Sequence, residues 1–212
     1  KNTKVLIQGI TGKEGARACE EMLSYGTKVL AGVTPGKGGQ KISDVPVYDT
    51  VREALAKHPG VNTSLIAVPA AAVKDAAMEA MFAGIPFVDI LAEHVPTFDC
   101  AEIVRWARMK GTILVGPSSV GVISPKKGKI GSIGSSLIRN VFTPGPVGVV
   151  SKSGGMTAEI AVTLTNAGIG QSTVLGIGGD QIIGFDFVDA LKLFGKDPET
   201  RAVVLFGEVG GT

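Results

Sequence analysis

The sequence predicts an α/β protein built on parallel sheets, and three observations predict it. Apolar runs rich in Val, Ile and Leu recur at residues 4–8, 28–33, 63–68, 87–91 and 112–115. None alternates strictly with polar residues, which is the pattern of strands buried on both faces. Stretches of helical character at 13–24, 51–57, 71–83 and 99–110 lie between them, each closed by Gly or by a nearby Pro. The same strand–helix order returns at 147–150, 157–167, 173–177, 185–194 and 202–206. Such alternation joins parallel strands by right-handed crossovers, with helices on both faces of the sheet.

Composition fits two domains. The chain has 212 residues, 44% of them hydrophobic, enough to bury a substantial core. Its 30 glycines and 11 prolines are spread along the chain, as short strand-to-helix turns require and disorder does not. Lys and Arg number 21 against 19 Asp and Glu, so neither nucleic acid nor an acidic membrane surface is an expected partner. No apolar run approaches the ~20 residues needed to span a bilayer. Cys19 and Cys100 stand far apart without a CxxC pair or a secretory pattern, so reduced thiols in a cytosol-like compartment are expected. That means the cytoplasm, or the mitochondrial matrix for a mature eukaryotic chain. His58 and His94 have no nearby acid or serine partner, and no metal site or triad is expected at either.

The first strand, residues 4–8, runs into Gly9-Ile10-Thr11-Gly12-Lys13-Glu14-Gly15 and then into a helix. This is the context of a Rossmann-type dinucleotide loop: glycines let the backbone approach a pyrophosphate, and the helix N-terminus offers free N–H groups with partial positive charge. An NAD site asks for an acid about 20 residues further on, to accept from the ribose hydroxyls. Residues 31–39 here read Ala-Gly-Val-Thr-Pro-Gly-Lys-Gly-Gly, with no acid. Lys37 instead presents a point charge suited to a phosphate. This argues against NAD and leaves NADP and coenzyme A, whose adenosine carries a 3′-phosphate.

From residue 116 to 146 the periodicity lapses into Gly, Ser, Pro and Lys. The expected organisation is therefore a first domain at 1–122, a connector at 123–146 and a second domain from 147 to 212. Strand 147–150 enters Ser151-Lys152-Ser153-Gly154-Gly155-Met156 and then a helix near Thr157, a second place suited to phosphate or carboxylate. Gly178-Gly179-Asp180 reads as a turn. Glu208 stands where the last apolar strand ends, at the carboxyl edge where parallel sheets bind ligands. No helix follows that strand before Thr212, as expected of a fragment.

Gly9-Ile10-Thr11-Gly12, the string from Gly32 to Gly39, Val45-Pro46-Val47-Tyr48, Gly176-Ile177-Gly178-Gly179-Asp180 and Gly207-Glu208-Val209-Gly210-Gly211 together resemble the α subunits of succinyl-CoA synthetase, within the NDP-forming acyl-CoA ligase superfamily. The resemblance covers nearly the whole chain. It implies an N-terminal Rossmann-type CoA-binding domain followed by a flavodoxin-like CoA-ligase domain, incomplete here. It further implies that Thr11, Gly12, Lys13 and Glu14 meet the CoA phosphates, that Thr34, Pro35 and Lys37 meet its nucleotide end, and that Val68, Pro69 and Glu93 line the rest. Ser151, Ser153, Gly154 and Gly155 would hold phosphate, and Glu208 would orient a histidine phosphorylated during turnover. That histidine belongs to a Gly-His-Ala-Gly segment absent from this sequence, so the chain alone is expected to lack turnover. ATP or GTP with Mg²⁺ would be bound mainly by a β-type partner carrying an ATP-grasp domain.

Within the superfamily, Ser118-Ser119-Val120-Gly121 replaces the Asn-Cys-Pro-Gly usual among succinate enzymes, and Ser153-Gly154-Gly155-Met156 replaces Ser-Gly-Thr-Leu. Both changes, with Gly210-Gly211-Thr212, resemble ATP-citrate lyase and citryl-CoA synthetase. Citrate is therefore the expected acid, narrowly ahead of succinate, with Gly155 leaving room for the bulkier substrate. A non-catalytic CoA-binding protein and an NADP-dependent oxidoreductase are the rivals from other classes.

Overall fold

The computed structural model describes residues 2–134 and 138–207, with the side chain of Arg139 left aside. Its first half contains β1 (Lys4–Gln8), α1 (Lys13–Tyr25), β2 (Lys28–Val33), β3 (Lys41–Ile42), β4 (Val45–Tyr48) and α2 (Val51–Lys57). It continues with β5 (Thr63–Ile66), α3 (Val73–Phe82), β6 (Phe87–Ile90), α4 (Thr97–Lys110) and β7 (Ile113–Val115). These strands form one sheet in the order β3-β4-β2-β1-β5-β6-β7. All neighbours are parallel except the short β3, which runs antiparallel to β4.

The helices begin and end where local chemistry dictates. α1 stops at Gly26, whose left-handed backbone lets its N–H reach back to Leu23 O, and α4 stops at Gly111 in the same way. α2 starts at Thr50, which accepts from the Glu53 N–H. One face of the sheet packs Leu6, Ile66, Val88 and Ile90 against α2, α3 and α4, whose inner residues include Ala54, Ala77 and Ile103. The other face packs Val5, Ile7, Val29 and Leu65 against α1 through Ala18, Cys19 and Met22.

The second sheet contains β8 (Gly121–Ser124), β9 (Gly128–Ile130), β10 (Pro144–Ser151), β11 (Gln171–Gly176) and β12 (Ala202–Phe206). Their order is β12-β10-β11-β8-β9, with β10 parallel to both β11 and β12 and with β8 and β9 antiparallel. α5 (Ile138–Val141), α6 (Gly154–Asn166) and α7 (Phe187–Phe194) complete it. The expected connector at 123–146 is thus corrected. It supplies the second half of β8, all of β9 and α5, and the start of β10, so the second sheet begins before the periodicity resumes.

The two sheets are welded through that same segment. Ile130 of β9 packs on the α1 face of the first sheet. Thr27 and Lys129 bond reciprocally, Thr27 Oγ1 donating to Lys129 O at 2.7 Å and accepting from Lys129 N–H at 3.1 Å. Val115 of β7 and Phe87 of β6 join Val150, Leu175 and Ile177 of the second sheet in one cluster with α7. Part of the first sheet is therefore covered by the second sheet rather than by a helix. Among the described residues, no helix is long and apolar enough to cross a membrane.

Candidate functional site

In the first sheet the chain leaves β1 toward β2 on one side and later returns beside β1 as β5 on the other. Such a reversal opens a crevice at the carboxyl ends of the strands. Gly9 lies at its base with φ +79°, and its N–H donates to Val33 O at 2.8 Å, tying the β1 loop to the end of β2. The loop is tight: a Cβ at Gly9 would fall 2.6 Å from Ala67 O, and one at Gly15 would fall 2.2 Å from Gly9 O. Only glycine lets the first turn of α1 rest on this loop.

Gly12 caps α1 in extended conformation, with no side-chain hydrogen bond to the helix. The first N–H groups of α1 are left by this cap for an outside acceptor, and Gly12, Lys13 and Glu14 are exposed. Glu14 contributes its backbone to this terminus, because its carboxylate is paired with Arg17 one turn on. Thr11 Oγ1 donates to Thr34 Oγ1 at 3.2 Å, and Thr34 Oγ1 donates to Val33 O at 2.8 Å. The two threonines lock the β1 and β2 loops together.

After β2, Thr34, Pro35 and Lys37 form a turn closed by Lys37 N–H to Thr34 O at 3.0 Å, and the Lys37 side chain is exposed. Asp49 accepts from the Gly38 N–H at 2.9 Å and holds the turn from below. Sequence reasoning missed this acid; its position straight after β4 is the signal that could have found it. Val68 and Pro69 follow β5, and Glu93 follows β6. The four strands that carry these residues, β2-β1-β5-β6, are consecutive, so Thr11, Gly12, Lys13, Glu14, Thr34, Pro35, Lys37, Val68, Pro69 and Glu93 share one sheet edge.

The second sheet repeats the arrangement around β10, which has β11 on one side and β12 on the other. α6 begins at Gly154, three residues earlier than expected, and Ser153 is its cap, accepting from Met156 N–H at the long distance of 3.4 Å. Ser151 is buried, donates to Ser153 O at 2.8 Å and accepts from Ser153 N–H at 3.0 Å. Ser151 therefore shapes the turn, while the Ser153 hydroxyl keeps its proton available for an anion. Lys152 is buried in the same turn, its N–H donating to Phe206 O at the end of β12. Glu208 lies outside the described residues. Gly155 is exposed, and a Cβ there would meet nothing within 4 Å. Packing against the rest of the chain therefore does not demand this glycine.

Residues 116–121 bring the two sheet edges together. Ser118 N–H donates to Ala92 O and Ser119 N–H to Ile90 O on the first sheet, and Ser119 Oγ donates to Gly176 O of β11 at 2.8 Å. Val120 fills the space that a Cβ at Gly154 or Gly176 would need, 2.7 and 2.3 Å from its methyl groups. Gly184 N–H reaches Gly116 O, so the loop after β11 is stapled to the same edge. Burial raises the carboxyl of Asp180 in that loop, an effect opposed by His94 and reinforced by Glu93. The segment Gly178-Gly179-Asp180 is thus more than a turn, since it faces the first sheet's edge. His58 Nε2 lies 3.0 Å from Tyr48 OH. Cys19 and Cys100 are both buried, and burial with the nearby Glu20 pushes the Cys19 thiol up to about 11.

Comparisons with known proteins match two separate stretches of the chain. Residues 1–94 match the CoA binding domain family and residues 150–212 the CoA-ligase family. The succinate–CoA ligase (ADP-forming) subunit alpha 2 of Archaeoglobus fulgidus is 50% identical over 211 residues, covering 100% of this chain and 72% of that protein. The subunit alpha of Methanothermobacter thermautotrophicus is 47% identical over 211 residues, covering 100% and 70%. Among solved structures, ATP citrate lyase of Methanosaeta concilii in complex with (3S)-citryl-CoA superposes with a TM-score of 0.89 and 25% identity, over 99% of this chain and 36% of that one. About half of all residues are shared with the archaeal α subunits, in matches that cover the entire chain. This chain belongs to the succinate–CoA ligase α-subunit family of CoA-binding, CoA-ligase proteins.

Proposed function

We propose that the chain is the CoA-binding, α-type component of an NDP-forming acid–CoA ligase whose acid is succinate. The observation that carries this reading is the pairing of two helix N-termini, α1 and α6, at the carboxyl edges of two sheets joined by residues 116–121. One suits a pyrophosphate, the other a transferring phosphoryl group or an acid carboxylate.

The turn from Gly9 to Gly15 suits a pyrophosphate, since its close packing starts α1 directly on the loop with Gly12 as a cap that makes no side-chain hydrogen bond. The N–H groups of Lys13 and Glu14, with the Lys13 ammonium, would hold that group, and Lys37 would meet the 3′-phosphate of CoA. Thr34 and Pro35 would support the adenosine end, and Val68, Pro69 and Glu93 would guide the pantetheine arm toward the second sheet. At α6, Ser153 donates its hydroxyl proton, and the N–H groups of Gly154 and Gly155 stabilise negative charge. A β-type partner with an ATP-grasp domain would hold the nucleotide with Mg²⁺, and the nucleotide would supply the activating phosphoryl group. Glu208 remains our candidate for orienting the phosphorylated histidine of the complete protein.

Sequence details favoured citrate, but the relatives at 47–50% identity are named as succinate ligases. The ATP citrate lyase structures share only 25–26% of residues. On that difference in identity, succinate replaces citrate as the preferred acid. Assaying the complete complex with succinate, citrate and malate tests this: succinate-dependent release of nucleoside diphosphate is expected, and citrate-only turnover contradicts it. Ser153→Glu tests the role of α6. It is expected to abolish the phosphoenzyme while leaving CoA binding within about threefold, about 0.7 kcal/mol; unchanged phosphorylation contradicts the assignment.

A further inference from the structure

The proposed reaction gives no task to a carboxyl buried at the seam between the sheets. Asp89 of β6 is fully buried, and among the described residues neither of its oxygens meets a hydrogen-bond partner. Its register neighbours, Leu65 of β5 and Val115 of β7, are buried and apolar. Leu65 belongs to the α1 side of the first sheet and Val115 to the cluster shared with the second, so the carboxyl stands where the two sheets close on each other. Among the described residues, the one polar group that acts on it is the Ser119 hydroxyl. No ionised side chain of β5, β7, the β8–β9 hairpin or residues 116–121 contributes. The hairpin's buried Lys129 is committed to Glu21 at 2.7 Å. Burial drives the Asp89 carboxyl up to about 7.

Ser119 has one proton to give. It goes to Gly176 O at 2.8 Å, across the seam, while Ser119 Oγ accepts from Gly121 N–H at 2.9 Å. A neutral Asp89 leaves this proton where it is. An ionised Asp89 is a buried anion with a single hydroxyl donor nearby, and it competes with Gly176 O for that donor. Loss of the Ser119–Gly176 bond loosens residues 116–121, which seat Val120 over Gly154 at the start of α6. We infer that Asp89 and Ser119 form a proton-operated latch between the two domains, closed while Asp89 is neutral and loosened when it releases its proton to solvent.

Hydrogen exchange on the full chain reads the latch without substrate, so its outcome is independent of the assigned activity. The reporters are Gly121 N–H, bonded to Ser119 Oγ, and Gly184 N–H, bonded to Gly116 O across the seam. After correction for intrinsic rates, their protection is expected to fall about tenfold between roughly pH 6 and pH 8.5. Asp89→Asn should abolish this pH dependence, and Ser119→Ala should leave protection low at both pH values. Equal pH trends in the native chain and Asp89→Asn would overturn the inference. Should Asp89→Asn fold poorly, Asp89→Val and infrared spectroscopy serve instead. The native chain must show a protonated-carboxyl band at the lower pH that fades at the higher and is missing from Asp89→Val; its absence at the lower pH contradicts the latch.

Discussion

Gly9 carries the most demanding backbone of the first anion-suited turn, since both its φ of +79° and its contacts exclude a side chain. Gly36 also has a positive φ, +75°, but a Cβ there would meet nothing within 4 Å. The pair separates strain from collision. Gly36→Ala is expected to cost about 1 kcal/mol of stability, from conformation alone. Gly9→Ala adds a clash with Ala67 and is expected to weaken CoA binding at least about tenfold, or about 1.4 kcal/mol; titration calorimetry on both variants checks the contrast. Asp89 makes a prediction of a different kind. Its carboxyl ionises near 3.8 when unfolded and near 7 when folded. Stability it contributes is complete below pH 3.8, falls as pH rises toward 7, and changes no further above that, a total on the order of 4 kcal/mol. Asp89→Val should therefore raise the melting temperature at neutral pH and lose that advantage near pH 4, as melting curves at several pH values would show.

Elements differ in how openly the sequence declares them. β1, β2, α2 and β12 fall where their patterns predict, because a buried parallel strand is a continuous apolar run and a helix end is marked by Gly, Thr or Pro. The β3–β4 and β8–β9 hairpins were not legible. β3 has two residues, β4 contains Pro46, and β9 is built from Gly128, Lys129 and Ile130 in a run that looks like solvated loop. The burial of Lys129 is a tertiary fact: Glu21, 108 residues earlier in the chain, supplies its partner. That joint is testable. Lys129 is fully buried and Glu21 partly so, and Glu21→Ala leaves an unpaired internal cation that should cost about 3 kcal/mol. Adding Lys129→Met should recover most of the loss, because an apolar replacement of the pair removes the stranded charge; urea denaturation midpoints of the single and double variants decide this. The anion-suited turns were legible for the opposite reason, since glycine spacing and the strand-to-helix switch are local. What joins them, Ser119, Val120 and the loop after β11, was not.

At the scale of the whole molecule, the chain is two sheets with parallel centres, whose anion-suited edges are held together by one loop and one buried seam. The first edge gathers ten expected binding residues from four consecutive strands, and the second places Ser153 at the head of α6. The turn after β2 carries Lys37 rather than an acid, and Asp49 beside it is bonded to the turn itself through Gly38. The central claim is that this edge accepts coenzyme A rather than a nicotinamide nucleotide, and calorimetric titration of the chain with CoA and, separately, with NADP tests it most directly. Saturable binding of CoA, weakened by removal of its 3′-phosphate and by Lys37→Ala, with no heat from NADP, is the predicted result. Binding of NADP with none of CoA would contradict it.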